Sequence, residues 1–197
     1  MFIEYYFWYT TETAQYEFEG GLSMAQKVLV AYGSRYGGTA EIAEEIGKVL
    51  KQEDFEVDVR SADHAGNAAR YDAFVVGSGV YAGMWRKEAV NFVINNEKVL
   101  ADKPVWIFSS GPTGEGDVKE LMSGWEYPAK IRKVVESIKP RDITAFHGVV
   151  YPEKLSLLHK FMLKMVKAPS GDFRKWDTID NWATSIAGEL KSEVKPK

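Results

Sequence analysis

The sequence predicts an α/β protein built on a parallel sheet, and three observations carry that prediction. Short apolar runs, too short for helices, recur along the chain: Lys27–Tyr32, Ala73–Gly77 and Pro104–Ser109. They read as strands buried on both faces. Between them lie stretches with apolar residues at helical spacing. The first run leads into Gly33-Ser34-Arg35-Tyr36-Gly37-Gly38-Thr39 and then a helix. A strand, a Gly- and hydroxyl-rich loop and a helix N-terminus together make an anion site, because free backbone N–H groups and the helix dipole converge there.

The elements follow in order. Residues 1–23 crowd Phe2, Tyr5, Tyr6, Phe7, Trp8, Tyr9, Tyr16 and Phe18 ahead of Gly20-Gly21. They read either as an extension from an upstream start codon or as an added arm that packs on a neighbour, with a hairpin about Thr10–Thr13. The domain proper is expected over 24–191, with a polar tail at 192–197. After the first strand, Ile42, Ala43, Ile46, Val49 and Leu50 line one side of a helix, opposite Glu41, Glu44, Glu45 and Lys48. Thr39 stands where a hydroxyl caps that helix. Phe55, Val57 and Val59 alternate with charges, as in a half-buried edge strand. Residues 61–70 read as a short helix or turn. After the strand at 73–77, Ala89, Val90, Val93 and Ile94 form the stripe of a helix beginning near Trp85. After the strand at 104–109, Ile131, Val134, Val135 and Ile138 form another, stopped by Pro140. Ile143–Val150 is a fifth strand. Leu155, Leu158, Met162, Met165 and Val166 place a helix over 154–167, the expected crossover after strand five. Asp177 or Thr178 caps a last helix with Ile179, Trp182, Ala183, Ile186 and Leu190 inward.

Composition narrows the classes. The chain has 197 residues, 45% of them apolar, which suits one domain with a sizeable core. A net charge of −3 with both signs interspersed gives no footprint for nucleic acid. With no Cys, disulfides, thiol catalysis and Cys-ligated clusters are excluded, which fits a cytoplasmic setting. His64, His147 and His159 have no metal spacing, so no metal is expected. No apolar run approaches the roughly 18–20 residues of a membrane span, and no Lys/Arg-led signal peptide is present.

The anion loop lacks the Lys-Ser/Thr ending of a nucleotide-triphosphate loop and lacks G-x-G-x-x-G. A hydroxyl-lined pocket for a phosphate monoester remains, beside the plainer reading of a βα turn with Gly for tight geometry. Ser34-Arg35-Tyr36-Gly37-Gly38-Thr39 resembles the flavodoxin phosphate loop S/T-x-T-G-x-T, with Tyr36 in place of the middle Thr. The resemblance implies a flavodoxin-like three-layer sandwich, a five-stranded parallel sheet of order 2-1-3-4-5, and FMN as cofactor. Ligands in such sheets bind beyond the carboxyl ends of the strands at the switch point. The loops there are Gly77–Trp85 and Ser109–Asp117, both Gly-rich, with aromatics in the first and hydroxyls in the second. They resemble the two flavin-gripping loops of flavodoxins. The match implies that Gly79, Val80, Tyr81, Ala82 and Gly83 hold one side of the flavin, Tyr81 where a stacking Trp often stands and Ala82-Gly83 facing flavin N5. It implies that Ser110, Gly111, Pro112, Thr113 and Gly114 hold the other side. A rival reading takes Gly77-x-Gly79-x-x-x-Gly83 as a loosened dinucleotide fingerprint, but its spacing is one residue too long. Glu115 and Asp117 suggest either a metal or, more plainly, a solvated turn. No catalytic residue is legible.

The C-terminal third departs from ordinary flavodoxins. His147-Gly148-Val149-Val150-Tyr151-Pro152, the apolar stretch Leu155–Val166, Ser170-Gly171-Asp172, Arg174-Lys175 and the Trp182 helix resemble the menaquinone-dependent protoporphyrinogen oxidase family, as does Ser34-Arg35. That resemblance implies an FMN-dependent oxidoreductase passing electrons to a quinone. Lys154, His159, Lys160, Lys164 and Lys167 border the apolar arc, so 154–167 also suits peripheral contact with a membrane. Two other classes stay open: a soluble flavodoxin-type carrier and an FMN-free interaction domain. Near-neutral charge disfavours the carrier, whose kind is typically strongly acidic; the intact loop disfavours the interaction domain.

Overall fold

β-Branched and aromatic runs become the central strands of one sheet. The computed structural model describes residues 26–158, 161, 165 and 169–193. The aromatic segment 1–23 and the tail beyond 193 lie outside the described residues, as do His159, Lys160, Met162, Lys164, Val166 and Lys167 of the 154–167 stretch. The sheet runs β2 (Glu56–Ser61), β1 (Lys27–Gly33), β3 (Ala73–Tyr81), β5 (Val105–Ser110), β6 (Asp142–Phe146), all parallel. Counting only these five, the order is the expected 2-1-3-4-5. A further short strand, β4 (Met84–Trp85), pairs antiparallel with the end of β3.

The strand period of two splits each strand between two cores. On one face Val28 and Val30 of β1 meet Ile42, Ala43 and Ile46 of α1 (Gly38–Gln52) and Ile179, Ala183 and Ile186 of α6 (Trp176–Glu193). On the other, Leu29 and Ala31 meet Ala89, Val90 and Val93 of α2 (Lys87–Asn95), Leu100 of α3 (Glu97–Ala101), and Val134, Val135 and Ile138 of α5 (Arg132–Ile138). A single turn, α4 (Val118–Leu121), follows β5 and buries none of its residues. Helices on both faces complete the three-layer sandwich. The edge strand β2 keeps Glu56 and Arg60 exposed, and charges of that kind discourage edge-to-edge pairing.

Several expectations are corrected. β3 runs to Tyr81, so Gly77–Tyr81 is strand rather than loop, and α2 begins at Lys87 because Trp85 is taken by β4. Ile94 is exposed, and Phe92 supplies the buried contact instead. α6 begins at Trp176, which puts Asp177 and Thr178 inside its first turn rather than at the cap. The fifth sheet strand ends at Phe146. Val149–Val150 leaves the sheet as β7 and pairs antiparallel with β8 (Gly171–Asp172). Pro152–Lys154 is a 3-10 turn, and the described part of the expected crossover helix at 154–167 does not cover the sheet. Leu157, Leu158, Phe161 and Met165 are helical but 61–85% exposed, and α6 occupies the face such a helix would cover.

Candidate functional site

The first strand delivers the chain to a tight loop. Gly37, at φ +97°, is the N-cap of α1, a left-handed conformation that suits glycine. Thr39 is therefore not the cap: it is the second residue of the helix, and no side chain caps it. Ser34 Oγ accepts a hydrogen bond from Gly37 N at 3.2 Å, which closes the loop on itself. The first intrahelical bond runs from Glu41 N to Gly37 O. Helix geometry then leaves the amides of Gly38, Thr39 and Ala40 without an intrahelical acceptor. Thr39 is 4% exposed, and a Cβ on Gly79 would stand 2.8 Å from its hydroxyl, so the loop after β1 touches the end of β3. Free amides, a buried hydroxyl and a dipole end are the donor set a phosphate monoester requires.

The second loop is the β3–β4 hairpin. Ala82 and Gly83 both have positive φ, +51° and +73°, as a two-residue hairpin turn demands. Tyr81 stands at its base. Its hydroxyl accepts from the amide of Arg35 at 3.2 Å, and its ring meets Tyr36 edge-on at 6.3 Å. Burial raises the Tyr81 pKa, so the phenol stays protonated. Arg35 is exposed and lies 5.5 Å from the Tyr36 ring centroid. Trp85 ties the hairpin down: its indole donates to Ser109 Oγ at 2.9 Å, which donates to Glu126 O.

The third loop follows β5. Ser110 is buried at the strand end, while Gly111, Pro112, Thr113 and Gly114 are half-buried. Gly111 N donates to Phe146 O, and Gly148 N donates to Pro112 O, so the stretch leaving β6 is stitched to this loop. His147 between those bonds is 4% exposed, and its Nε2 has no partner. Burial lowers its pKa, helped by Lys175 and opposed by Glu115 and Asp117. Asp117 caps α4, accepting from the amides of Lys119 and Glu120. Its carboxylate thus serves a turn. Among the described residues no group of three or more His, Asp or Glu could hold a metal.

A fourth component adjoins the first loop, built from residues that the sequence pattern does not assign to the site. Val149 of β7 presses on the first turn of α1: a Cβ on Gly38 would stand 2.5 Å from its Cγ1. Arg174, its side chain 3% exposed, donates from Nη1 to Glu41 Oε2 at 2.7 Å and to the Gly38 carbonyl at 3.2 Å. Asp172 takes its other side at 2.6 Å. Burial works against this charge, but the bonds to Asp172 and Glu41 outweigh it and raise the Arg174 pKa, while Arg174 lowers that of Asp172. The sequence signal was Asp172-x-Arg174 after Gly171, and the partner more than a hundred residues away left none.

All sixteen predicted cofactor-binding residues lie on the three loops that meet at one end of the sheet, or on the strand ends that enter them. The chain matches the flavodoxin domain family over residues 29–177. Among curated proteins, none matches. Among solved structures, it is similar to a flavodoxin from the domain Archaea (TM-score 0.56, 16% identity, 84% of this chain and 99% of that one). It is similar to a mutant form of the flavodoxin from Pseudomonas aeruginosa (TM-score 0.53, 15% identity, 84% and 99%). It is also similar to rubredoxin oxygen:oxidoreductase from the anaerobe Desulfovibrio gigas (TM-score 0.57, 13% identity), covering 86% of this chain but 37% of that one.

Proposed function

The chain belongs to the flavodoxin domain family, and from that premise we propose that it is an FMN-dependent oxidoreductase that passes electrons to a quinone at a membrane surface. FMN is its cofactor, and the donor set of the first loop fits that group's phosphate. Bound there, FMN supplies reversible transfer of one or two electrons. The protein's part is to hold and orient it. The free amides of Gly38, Thr39 and Ala40 and the hydroxyl of Thr39 offer donors to the phosphate. The Arg35 amide already donates to Tyr81 Oη, which joins the phosphate loop to the flavin side of the site. Tyr81 gives a flat ring at the cofactor's side, and the Ala82-Gly83 turn offers backbone N–H and C=O at close range.

The quinone-linked reading rests on one observation, the exposed apolar surface of Leu157, Leu158, Phe161 and Met165. Four large apolar side chains in water, in a stretch whose sequence also carries Lys160, Lys164 and Lys167, suit the interface of an anionic membrane. A protoporphyrinogen-oxidase-like activity is the finer form of this reading and rests on the sequence resemblance of the C-terminal third and of Ser34-Arg35. The soluble-carrier reading is favoured by a different observation, the coverage of 99% of the archaeal flavodoxin by this chain.

The test is a visible spectrum of the purified protein, then co-sedimentation with anionic phospholipid vesicles at low and high salt. A flavin band near one per chain, salt-sensitive sedimentation and reduction of a vesicle-borne quinone are expected. A flavin band without sedimentation or quinone reduction leaves the carrier. No flavin in the protein, and none taken up from added FMN, leaves an interaction domain.

A further inference from the structure

The first turn of α1 carries a carboxylate where the proposed phosphate needs positive potential. A Cβ built on Gly37 would stand 3.6 Å from Glu41 Oε1 and 3.8 Å from Lys154 Nζ. Opposite charges thus flank the turn of the loop. Glu41 is answered on its far side, where Oε2 accepts from Arg174 and, at 2.9 Å, from the Tyr151 hydroxyl. Arg174 is fully used: its donors go to Glu41, Asp172, Tyr151 and the Gly38 carbonyl, and its face lies 4.5 Å over Trp176. One guanidinium between two carboxylates leaves this cluster net negative beside the loop.

Lys154 restores the balance. It ends a single 3-10 turn, Pro152–Lys154, closed by Lys154 N donating to Tyr151 O at 3.0 Å. Its ammonium lies 4.0 Å from the Tyr151 ring centroid. The tyrosine anchored to Glu41 therefore also carries the cation to the loop. Among the described residues Lys154 makes no ion pair. A lysine seated over an aromatic ring at the turn of the loop, with no carboxylate within ion-pair distance among the described residues, is placed to receive an anion.

We propose that Lys154 is a phosphate-binding residue of this site and makes it selective for the phosphorylated flavin over riboflavin. The proposal rests on the reading of this loop as the FMN phosphate site. It makes the Pro152–Lys154 turn after β7 part of the cofactor pocket. Because Lys154 is exposed, its contribution falls as salt rises.

The test titrates flavin-free protein with FMN and with riboflavin, following the quenching of flavin fluorescence at low and high salt. Lys154→Gln is expected to raise the FMN Kd about tenfold at low salt. It is expected to flatten the salt dependence and to leave the riboflavin Kd where it was, and Lys154→Arg is expected to recover most of the loss. An unchanged FMN Kd in Lys154→Gln overturns the proposal while leaving the FMN reading standing. An equal loss for both flavins also overturns it, because that is a structural effect. Wild-type protein that binds FMN no more tightly than riboflavin overturns the phosphate-site reading and the proposal together.

Discussion

Two parts of this molecule carry the same sequence signal and end in opposite surroundings. In α1, Ile42, Ala43, Ile46 and Leu50 repeat at helical spacing and are wholly buried. After β7, Leu157, Leu158, Phe161 and Met165 repeat in the same way and face water. Hydrophobicity does not separate them. The difference is whether a sheet face is vacant: α1 and α6 already cover one side, and α2, α3 and α5 the other. Periodicity says that a helix wants cover, and topology decides whether the fold supplies it. The four described side chains are left facing water.

The contrast can be broken first where β7, which leads into the exposed stretch, meets α1. Gly38→Ala puts a methyl 2.5 Å from Val149 Cγ1. Overpacking of this kind costs about 1–3 kcal/mol. Thermal or denaturant unfolding with and without bound FMN should show lower stability and weaker FMN retention, and Val149→Ala in the same chain should restore both. Arg174→Met cuts the same link electrostatically. It leaves Glu41 and Asp172 without their cation, but both are partly in water, so the loss should be nearer ~2 kcal/mol than the full cost of a broken buried pair. Urea midpoints in wild type and variant would measure it.

A smaller effect sharpens the comparison through pH. The folded pKa of His147 is lowered by burial, so between that value and the unfolded value of about 6.5 the unfolded chain binds more protons. Stability should therefore rise with pH through this window, be complete above it and be lost as pH falls. His147→Gln should flatten that slope in urea titrations between about pH 5 and 7. The smallest effect belongs to the exposed helix. Leu157→Ser with Met165→Ser should change unfolding by no more than about 0.5 kcal/mol, because both side chains are already largely in water in the folded chain. The pair should nonetheless abolish sedimentation with anionic vesicles.

The strands that became β1, β3 and β5 were legible because both of their faces are buried, so no polar residue interrupts Val28-Leu29-Val30-Ala31 or Val105-Trp106-Ile107-Phe108. The stripe of α1 and the loop before it were legible for a related reason: periodicity and turn chemistry are local. What could not be read depended on partners far away. The continuation of β3 through Gly77-Ser78-Gly79 looked like loop, yet Gly77 makes room for Phe108, where a Cβ would collide at 2.1 Å. Thr39 looked like a cap because hydroxyls usually are, but Gly37 could take the left-handed cap and sent Thr39 into the helix. The end of β6 is set by Gly148 lying against the Gly111 backbone, at 3.1 Å from its carbonyl for a built Cβ. Of the candidate site, the three loops lie together at the strand ends as the sequence pattern places them; Lys154, Tyr151 and Arg174 are tied to it by no local pattern, since they join it only after the chain has crossed the sheet.

The pairing of Val150 with Gly171 has an evolutionary consequence. The two ends of the 151–170 stretch therefore lie side by side on this pair of strands. Doubling the length of such a stretch costs only about 0.6 kcal/mol in closure entropy. Selection can therefore lengthen, shorten or exchange most of it at almost no thermodynamic risk to the sheet, provided its first turns keep Tyr151 and Lys154 in place. An electron-transfer chassis could in this way be refitted for new surroundings by rewriting a single segment.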